Sequence, residues 1–246
     1  MKFKIFFSIC LLGFNANLWA AEITIAAASS LTDAFKVLSL NFEKKYPNTK
    51  INLTFASSGT LLQQLRHGAP IDILATADIE TMDDAASAQL IQKSTRTNFT
   101  SNQLVLIASS QKKLKVSSLK DLRQANIQHI AIGEPLYTPA GRYAKAAMMK
   151  DRIWDEVQPK IVKTQNVRQA LSYVRMGETD VGFVFSSDIY KNNNQVYKLL
   201  NVVTTPIVYP IAVSTTSKNL KHAQDFIRYV KSNEGQQILS EYGFQK

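Results

Sequence analysis

The fold is decided by residues 23–75, which read ITIAAASSLTDAFKVLSLNFEKKYPNTKINLTFASSGTLLQQLRHGAPIDILA. Short apolar runs of strand length lie at residues 23–27, 51–55 and 71–75. They alternate with segments in which apolar residues recur at the spacing of a helix. This alternation predicts a parallel sheet with helices packed on its faces.

The remainder of the chain continues the same alternation. Strands are predicted at 104–108, 130–132, 181–185 and 208–213, and helices at 118–125, 139–150, 167–176, 221–232 and 234–242. No linker rich in Gly, Ser or Pro separates two halves, so we expect strands that cross between them near residues 103–108 and 205–213. We therefore expect an α/β fold of two lobes, each a mainly parallel sheet flanked by helices, with a ligand in the cleft between them.

The N-terminus has the pattern of a cleavable signal peptide. Lys2 and Lys4 precede an apolar run at residues 5–14, and the small residue Ala20 follows at the expected cleavage site. Export to the periplasm is therefore expected, and cleavage would also remove Cys10, which is the one cysteine of the sequence. The expected division is a signal peptide at residues 1–20, lobe I at residues 21–103 and 209–246, and lobe II at residues 104–208.

The chain is basic, with 29 Lys+Arg against 19 Asp+Glu and a formal charge of +10. Removal of the signal peptide takes away two lysines and lowers this charge to +8. The remaining basic residues are dispersed in short groups, and no nucleic-acid-binding motif occurs. We expect no nucleic-acid partner, and a monomer whose positive field attracts a small anion.

An enzyme on the same two-lobed fold is the alternative from another functional class. Its case is weak, because His67, His129 and His222 are isolated in the sequence and give no zinc-binding spacing. No nucleophile elbow or phosphate-binding loop occurs, and Asp83 and Asp84 would point apart on a helix. We therefore expect a binding protein without a cofactor.

The turns from strand to helix carry the groups suited to a ligand. They are Ser29-Ser30, Ser57-Ser58-Gly59, Thr138-Pro139-Ala140-Gly141 and Asn166-Val167. A helix N-terminus has unpaired N–H groups and about half a positive charge, so it attracts an anion. Neutral donors from two lobes suit a fully ionised oxyanion, which only accepts hydrogen bonds. The alternative is that Ser30 and Ser58 are ordinary N-caps.

Five stretches, in order, resemble motifs of the periplasmic molybdate-binding proteins of ABC transporters. They are residues 27–35 (AASSLTDAF), 55–61 (FASSGTL), 68–72 (GAPID), 139–144 (PAGRYA) and 167–171 (VRQAL). The resemblance implies a type II solute-binding fold that holds molybdate, and usually tungstate, without charged side chains. It also implies delivery of the anion to an inner-membrane permease with its ATPase.

The resemblance implies a set of binding residues as well. The family's ligand positions fall on Ser30, Ser58, Ala140, Val167 and Phe185, with Ser29 as the neighbour of the first serine. Phe185 stands where the family has a tyrosine, so one hydroxyl is missing. Either water or a hydroxyl of Ser186 or Ser187 replaces it, or the site is retuned toward another tetrahedral oxyanion such as sulfate or thiosulfate.

Overall fold

The computed structural model describes residues 21–191 and 195–246, so the predicted signal peptide and Cys10 lie outside it. The strands are β1 Ala21–Ala28, β2 Thr49–Ala56, β3 Ile73–Ala75, β4 Thr97–Asn102, β5 Leu104–Ser109, β6 Ile130–Gly133, β7 Ile161–Thr164, β8 Val181–Phe185, β9 Val196–Asn201 and β10 Ile207–Val213. The α-helices are α1 Thr32–Lys45, α2 Ser58–Arg66, α3 Ile79–Ser87, α4 Pro139–Lys150, α5 Trp154–Val157, α6 Val167–Met176, α7 Leu220–Lys231 and α8 Asn233–Glu241.

Two five-stranded sheets form the centres of the two lobes. The sheet of lobe I has the order β2–β1–β3–β10–β4, and the sheet of lobe II has the order β7–β6–β8–β5–β9. Strands β1, β2 and β3 are parallel, as are β6, β7 and β8. Strands β10 and β5 run antiparallel to both of their neighbours. Each sheet thus has one reversed strand, and the predicted two-lobed α/β fold is confirmed.

The reversed strands are the ones that have just crossed between the lobes. Gln103 is the single residue between β4 of lobe I and β5 of lobe II. The return crossing lies between Asn201, where β9 ends, and Ile207, where β10 begins. The exact lobe boundaries remain a prediction, but Ile207 and Val208 already pair with β4.

Strands such as β5 and β8, in the interior of a sheet, are buried on both faces. On β5, the side chains of Leu104, Leu106 and Ala108 belong to one apolar cluster, and those of Val105 and Ile107 to another. This alternation follows the two-residue period of a strand. Burial on both faces explains why the strands appear in the sequence as continuous apolar runs.

The C-terminal helices return to lobe I, as the sequence predicts. The ring of Phe226 on α7 lies 5.3 Å from that of Phe42 on α1, and the ring of Tyr229 lies 5.6 Å from Phe42. The two crossings lie side by side, because the N–H of Val202 donates to the backbone oxygen of Leu104 and Ile207 pairs with Asn102.

Candidate functional site

A small cavity lies between the lobes, where the parallel strands end. It is lined by Ala28, Ser29 and Ser30 after β1, Ser57 and Ser58 after β2, Ala77 after β3, Thr138, Pro139 and Ala140 after β6, Asn166 and Val167 after β7, and Phe185 at the end of β8. Its empty volume, including the part open to solvent, is about 210 Å³. The lining residues carry no charge, so the cavity suits a small ligand held by neutral groups.

Three helices begin at this cavity, and each is capped by the side chain of the preceding residue. The cap bonds are Thr60 N–H to Ser57 Oγ (3.3 Å), Gly141 N–H to Thr138 Oγ1 (3.2 Å), and the N–H groups of Arg168 and Gln169 to Asn166 Oδ1 (3.0 and 3.1 Å). Ser57 is therefore the cap of α2, and Ser58 is its first residue. Ser30 lies in a 3-10 turn before α1, which has no side-chain cap. The N-cap alternative is thus wrong for both Ser30 and Ser58.

The caps leave one backbone donor uncommitted at the start of each helix. Within the described part of the chain, no hydrogen bond uses the N–H of Ser58, Ala140 or Val167. All three residues line the cavity. Unpaired donors at helix N-termini, each with a partial positive charge, form an anion-binding arrangement that draws on both lobes.

The hydroxyl of Ser58 is oriented by a backbone donor. Ser58 Oγ accepts the N–H of Ala77 at 2.9 Å, and both residues are buried. Because that bond occupies a lone pair of the oxygen, the hydroxyl hydrogen is free to point into the cavity. Ser58 thus offers two donors to a ligand, its N–H and its O–H.

The hydroxyl of Ser30 lies 2.9 Å from the hydroxyl of Tyr209 on β10. Tyr209 is fully buried, and burial raises the pKa of its phenol well above the usual 10, so the group keeps its proton. Asn102 Nδ2, at the end of β4, donates to the same Tyr209 oxygen at 3.3 Å. Ser30 is therefore connected through Tyr209 to both crossings between the lobes.

Phe185 contributes an apolar wall and no hydroxyl. It is buried in the lining, and its ring contacts that of Tyr209 edge to face at 5.7 Å. The hydroxyls of the next two residues point elsewhere: Ser186 Oγ donates to Asn102 Oδ1 at 2.8 Å, and Ser187 Oγ accepts from Asn102 Nδ2 at 2.8 Å. Neither serine lines the cavity, so neither replaces the missing tyrosine hydroxyl.

The charged groups near the cavity are paired with one another. Arg168 on α6 donates to Asp33 on α1 at 2.8 Å and lies 3.1 Å from Asp188. Burial raises the pKa of Asp188 to about 6, against the opposing effects of Arg168 and of the N–H of Phe185. Asp33 does not line the cavity, and its carboxylate is paired with Arg168.

Several contacts join the two lobes around the cavity. The N–H of Gly59 on α2 donates to the backbone oxygen of Tyr137 in lobe II at 2.9 Å. Arg142 on α4 forms an ion pair with the buried Asp78 of lobe I and donates to Thr81 at 2.8 Å. The lobes are thus closed on each other, and Gly59 serves that closure rather than offering its N–H to an anion.

The structure brings all the predicted site residues together. Ser29, Ser30, Ser58, Ala140, Val167 and Phe185 line the same cavity, and their binding role remains a prediction. Sequence reasoning missed the part that Tyr209 and Asn102 play. No local signal could have found it, because Tyr209 is 179 residues from Ser30 along the chain.

Among residues 21–191 and 195–246, no group of three or more His, Cys, Asp or Glu side chains is placed to hold a metal ion. In the same part of the chain, no helix combines the length and the apolar character needed to cross a bilayer.

Comparison with known proteins gives matches along nearly the whole chain. The profile of a family described as bacterial extracellular solute-binding proteins matches residues 23–245. The molybdate-binding protein ModA of Escherichia coli is 34% identical over 241 residues, which cover 94% of this chain and 91% of that protein.

Solved structures share the fold. The periplasmic molybdate-binding protein of Azotobacter vinelandii superimposes with a TM-score of 0.81 at 21% identity, covering 91% of this chain and 99% of that one. The sulfate-binding protein SubI of Mycobacterium tuberculosis also reaches a TM-score of 0.81, at 15% identity, covering 91% of this chain and 86% of that one. At such identities the likeness concerns the fold alone, and proteins named for two different oxyanions share it.

Proposed function

We propose, from the premise that this chain belongs to the family of bacterial extracellular solute-binding proteins, that it captures molybdate in the cavity between its lobes. The family consists of binding proteins and not of enzymes, and its members bind a solute rather than a cofactor. ABC-transporter proteins of this kind bind a small anion and work with a membrane permease and an ATPase. The ligand itself is the part that we propose.

The observation that carries the proposal is the donor set of the cavity. The uncommitted N–H groups of Ser58, Ala140 and Val167 and the hydroxyl of Ser58 all line a small buried space without a charged side chain. Such a set stabilises an anion that accepts hydrogen bonds at every oxygen. A monoprotonated phosphate also needs an acceptor, and within the described residues no carboxylate lines the cavity.

We propose molybdate and not sulfate because the sequence similarity to a molybdate-binding protein is higher than that to a sulfate-binding protein. The 34% identity over nearly the whole chain is with a molybdate-binding protein, whereas the likeness to a sulfate-binding protein rests on the fold. Tungstate has the same charge and shape as molybdate and is expected to bind as well. Sulfate and thiosulfate remain the alternative ligands, because uncharged hydrogen-bond donors can bind any of these dianions.

We place this capture in the periplasm, after removal of residues 1–20, with delivery of the anion to an inner-membrane permease. We also propose that the protein acts as a monomer and has no nucleic-acid partner. The ion pairs and the Gly59–Tyr137 contact between the lobes support a closed form that a permease would recognise.

Thermal denaturation and calorimetry with five anions test the proposal. Molybdate, tungstate, sulfate, thiosulfate and phosphate are each added to the chain that begins at residue 21. Molybdate and tungstate at about 100 times their Kd are expected to raise the free energy of unfolding by about 2.7 kcal/mol. Stabilisation by sulfate or thiosulfate alone would replace the proposed ligand, and no effect of any anion would reject the oxyanion site.

A further inference from the structure

The hydroxyl of Ser30 has a direction that its neighbours determine. Asn102 Oδ1 accepts the N–H of Gln103 at 2.9 Å and the hydroxyl of Ser186 at 2.8 Å. A backbone N–H only donates, so the atom facing Gln103 is the amide oxygen and the atom facing Tyr209 is the amide nitrogen. The amide nitrogen in turn only donates.

The orientation of the Asn102 amide in turn determines the direction of the Tyr209 hydroxyl. Its oxygen accepts from Asn102 Nδ2, so its own hydrogen needs another acceptor. Tyr209 is fully buried, and a buried hydroxyl without an acceptor is costly. Among the described residues, the acceptor within reach of that hydroxyl is Ser30 Oγ, at 2.9 Å. The hydrogen of Ser30 must therefore point away from Tyr209.

Ser30 lines the cavity, so the space that remains for its hydrogen is the cavity itself. Ser58 shows the same principle in a simpler form, because the N–H of Ala77 occupies its lone pair and leaves its hydrogen for the ligand. The N–H of Ala77 thus leaves Ser58 as a hydrogen-bond donor to the cavity. The hydroxyl of Tyr209, which is far from Ser30 in the sequence, does the same for Ser30.

We propose that Tyr209, held by Asn102, is a positioning residue that fixes the hydroxyl of Ser30 as a hydrogen-bond donor to the bound oxyanion. Tyr209 does not touch the ligand, and it acts through Ser30. Without it, the Ser30 hydroxyl can rotate and present a lone pair to the anion, which repels it. This inference rests on the proposed function, since it concerns how the same site holds its anion.

The geometry also explains why this role falls to a residue of β10. Tyr209 and Asn102 lie on the two strands that border the crossings, and Asn102 is bonded to Ser186 and Ser187 of lobe II. The donor in lobe I is therefore oriented by groups whose positions depend on how the lobes are joined.

A double-mutant cycle tests the proposal. The affinity of the preferred oxyanion is measured by calorimetry for the wild type, Ser30→Ala, Tyr209→Phe and the double variant. Tyr209→Phe keeps the ring that packs on Phe185 and Phe244 and removes one oxygen. We expect Ser30→Ala and Tyr209→Phe each to weaken binding about tenfold or more. The double variant is expected to match Ser30→Ala within about twofold, because Tyr209 acts through Ser30.

Tyr197→Phe is the matched control, because it also removes a tyrosine hydroxyl with protein partners, here the N–H of Leu114 at 3.0 Å and the backbone oxygen of Lys112 at 2.7 Å. It is expected to lower the melting temperature of the ligand-free protein while leaving the affinity unchanged.

Equal effects of Tyr209→Phe in the wild type and in Ser30→Ala would show a general structural role and overturn the inference, as would an unchanged affinity in Tyr209→Phe. Failure of the wild type to bind any of the five anions would instead reject the proposed function. Circular dichroism of each variant confirms that the affinities are those of folded protein.

Discussion

Phe185 is the residue at which this cavity departs most clearly from the donor set implied by the molybdate-binding resemblance. Its ring is buried in the cavity wall, at the position where the resemblance implies a tyrosine. The hydroxyls of Ser186 and Ser187 are bonded to Asn102, and that of Tyr209 is directed at Ser30. Within the described residues, the missing hydroxyl is therefore not replaced by a neighbouring side chain.

Phe185→Tyr is expected to tighten molybdate binding. The added hydroxyl would extend from the wall into the cavity and donate to the anion, and a hydrogen bond to a charged acceptor contributes about 1.5–3 kcal/mol. That range corresponds to roughly ten- to a hundredfold in affinity. Calorimetry of the wild type and the variant with molybdate measures the change, and equal or weaker affinity in the variant would show that the cavity does not lack this donor.

At the scale of the element, one residue at each helix start caps the helix and a different residue faces the cavity. In α2, Ser57 accepts the N–H of Thr60 and so stabilises the first turn, whereas Ser58 turns its N–H and O–H to the cavity. The same division holds for Thr138 and Ala140 in α4. Because the cap satisfies the inner donors, the helix keeps its start without a ligand.

Ser57→Ala and Ser58→Ala are expected to differ in their effect on anion affinity. Ser57→Ala removes the cap and should lower the free energy of unfolding by about 1 kcal/mol with little change in affinity. Ser58→Ala should weaken anion binding about tenfold or more, and it also leaves the buried N–H of Ala77 without its acceptor. Chemical denaturation and calorimetry measure the two quantities separately.

Ser39→Ala is the control for these two variants, because Ser39 on α1 is buried and does not line the cavity. Its affinity should equal that of the wild type. If Ser57→Ala weakened binding as much as Ser58→Ala, capping and binding would not be separate tasks at this turn.

The longer apolar runs and helical spacings could be predicted from the sequence, whereas β4, β7, β9, α3 and α5 were not. β4 reads TNFTSN, and its one large apolar residue is Phe99. Two of its buried polar residues are satisfied by the C-terminus, where the backbone oxygen of Gln245 accepts from Thr100 and Ser101. Because Gln245 lies 145 residues after Thr100, the residues around β4 in the sequence give no sign of this pairing.

The predicted helix at residues 118–125 is in fact a 3-10 helix at Leu119–Arg123. The carboxylate of Asp121 accepts the N–H groups of Ser117 and Ser118, and these bonds lower the pKa of Asp121. Together with Ser118, Asp121 forms a capping box, which determines where the helix begins but not how far it extends.

The site residues could be predicted because helix starts have short, local motifs, and Ser58, Ala140 and Val167 all lie in such motifs. The motif at Ser57-Ser58 did not reveal which serine caps the helix, since the two differ only in the backbone conformation around them. Tyr209 could not be predicted at all, since its role depends on the packing of β10 beside the turn after β1.

At the scale of the whole molecule, the site is complete only when the lobes are closed. Lobe I supplies the donors of Ser30 and Ser58, and lobe II supplies those of Ala140 and Val167. At this site the N–H of Gly59 on α2 donates to the backbone oxygen of Tyr137 at 2.9 Å. A Cβ atom on Gly59 would lie 2.6 Å from the Tyr137 oxygen and 2.9 Å from its Cα atom.

Gln64→Ala is a suitable control for changes at Gly59, because residue 64 is an exposed position of the same helix. It alters the helix propensity of α2 without approaching lobe II. Its affinity and melting temperature should stay close to those of the wild type.

Gly59→Ala is expected to hinder closure of the two lobes without lowering the stability of the ligand-free protein. Alanine favours a helix over glycine by up to about 1 kcal/mol, so the melting temperature of the ligand-free protein should stay the same or rise. The added methyl group would collide with the backbone of Tyr137 in the closed form, and such overpacking costs roughly 1–3 kcal/mol. Anion affinity should therefore fall about tenfold, and small-angle scattering with the anion should show a more open molecule than the wild type. Wild-type affinity in Gly59→Ala would mean that the anion is held without the contact between Gly59 and Tyr137, and hence that binding does not require this degree of closure.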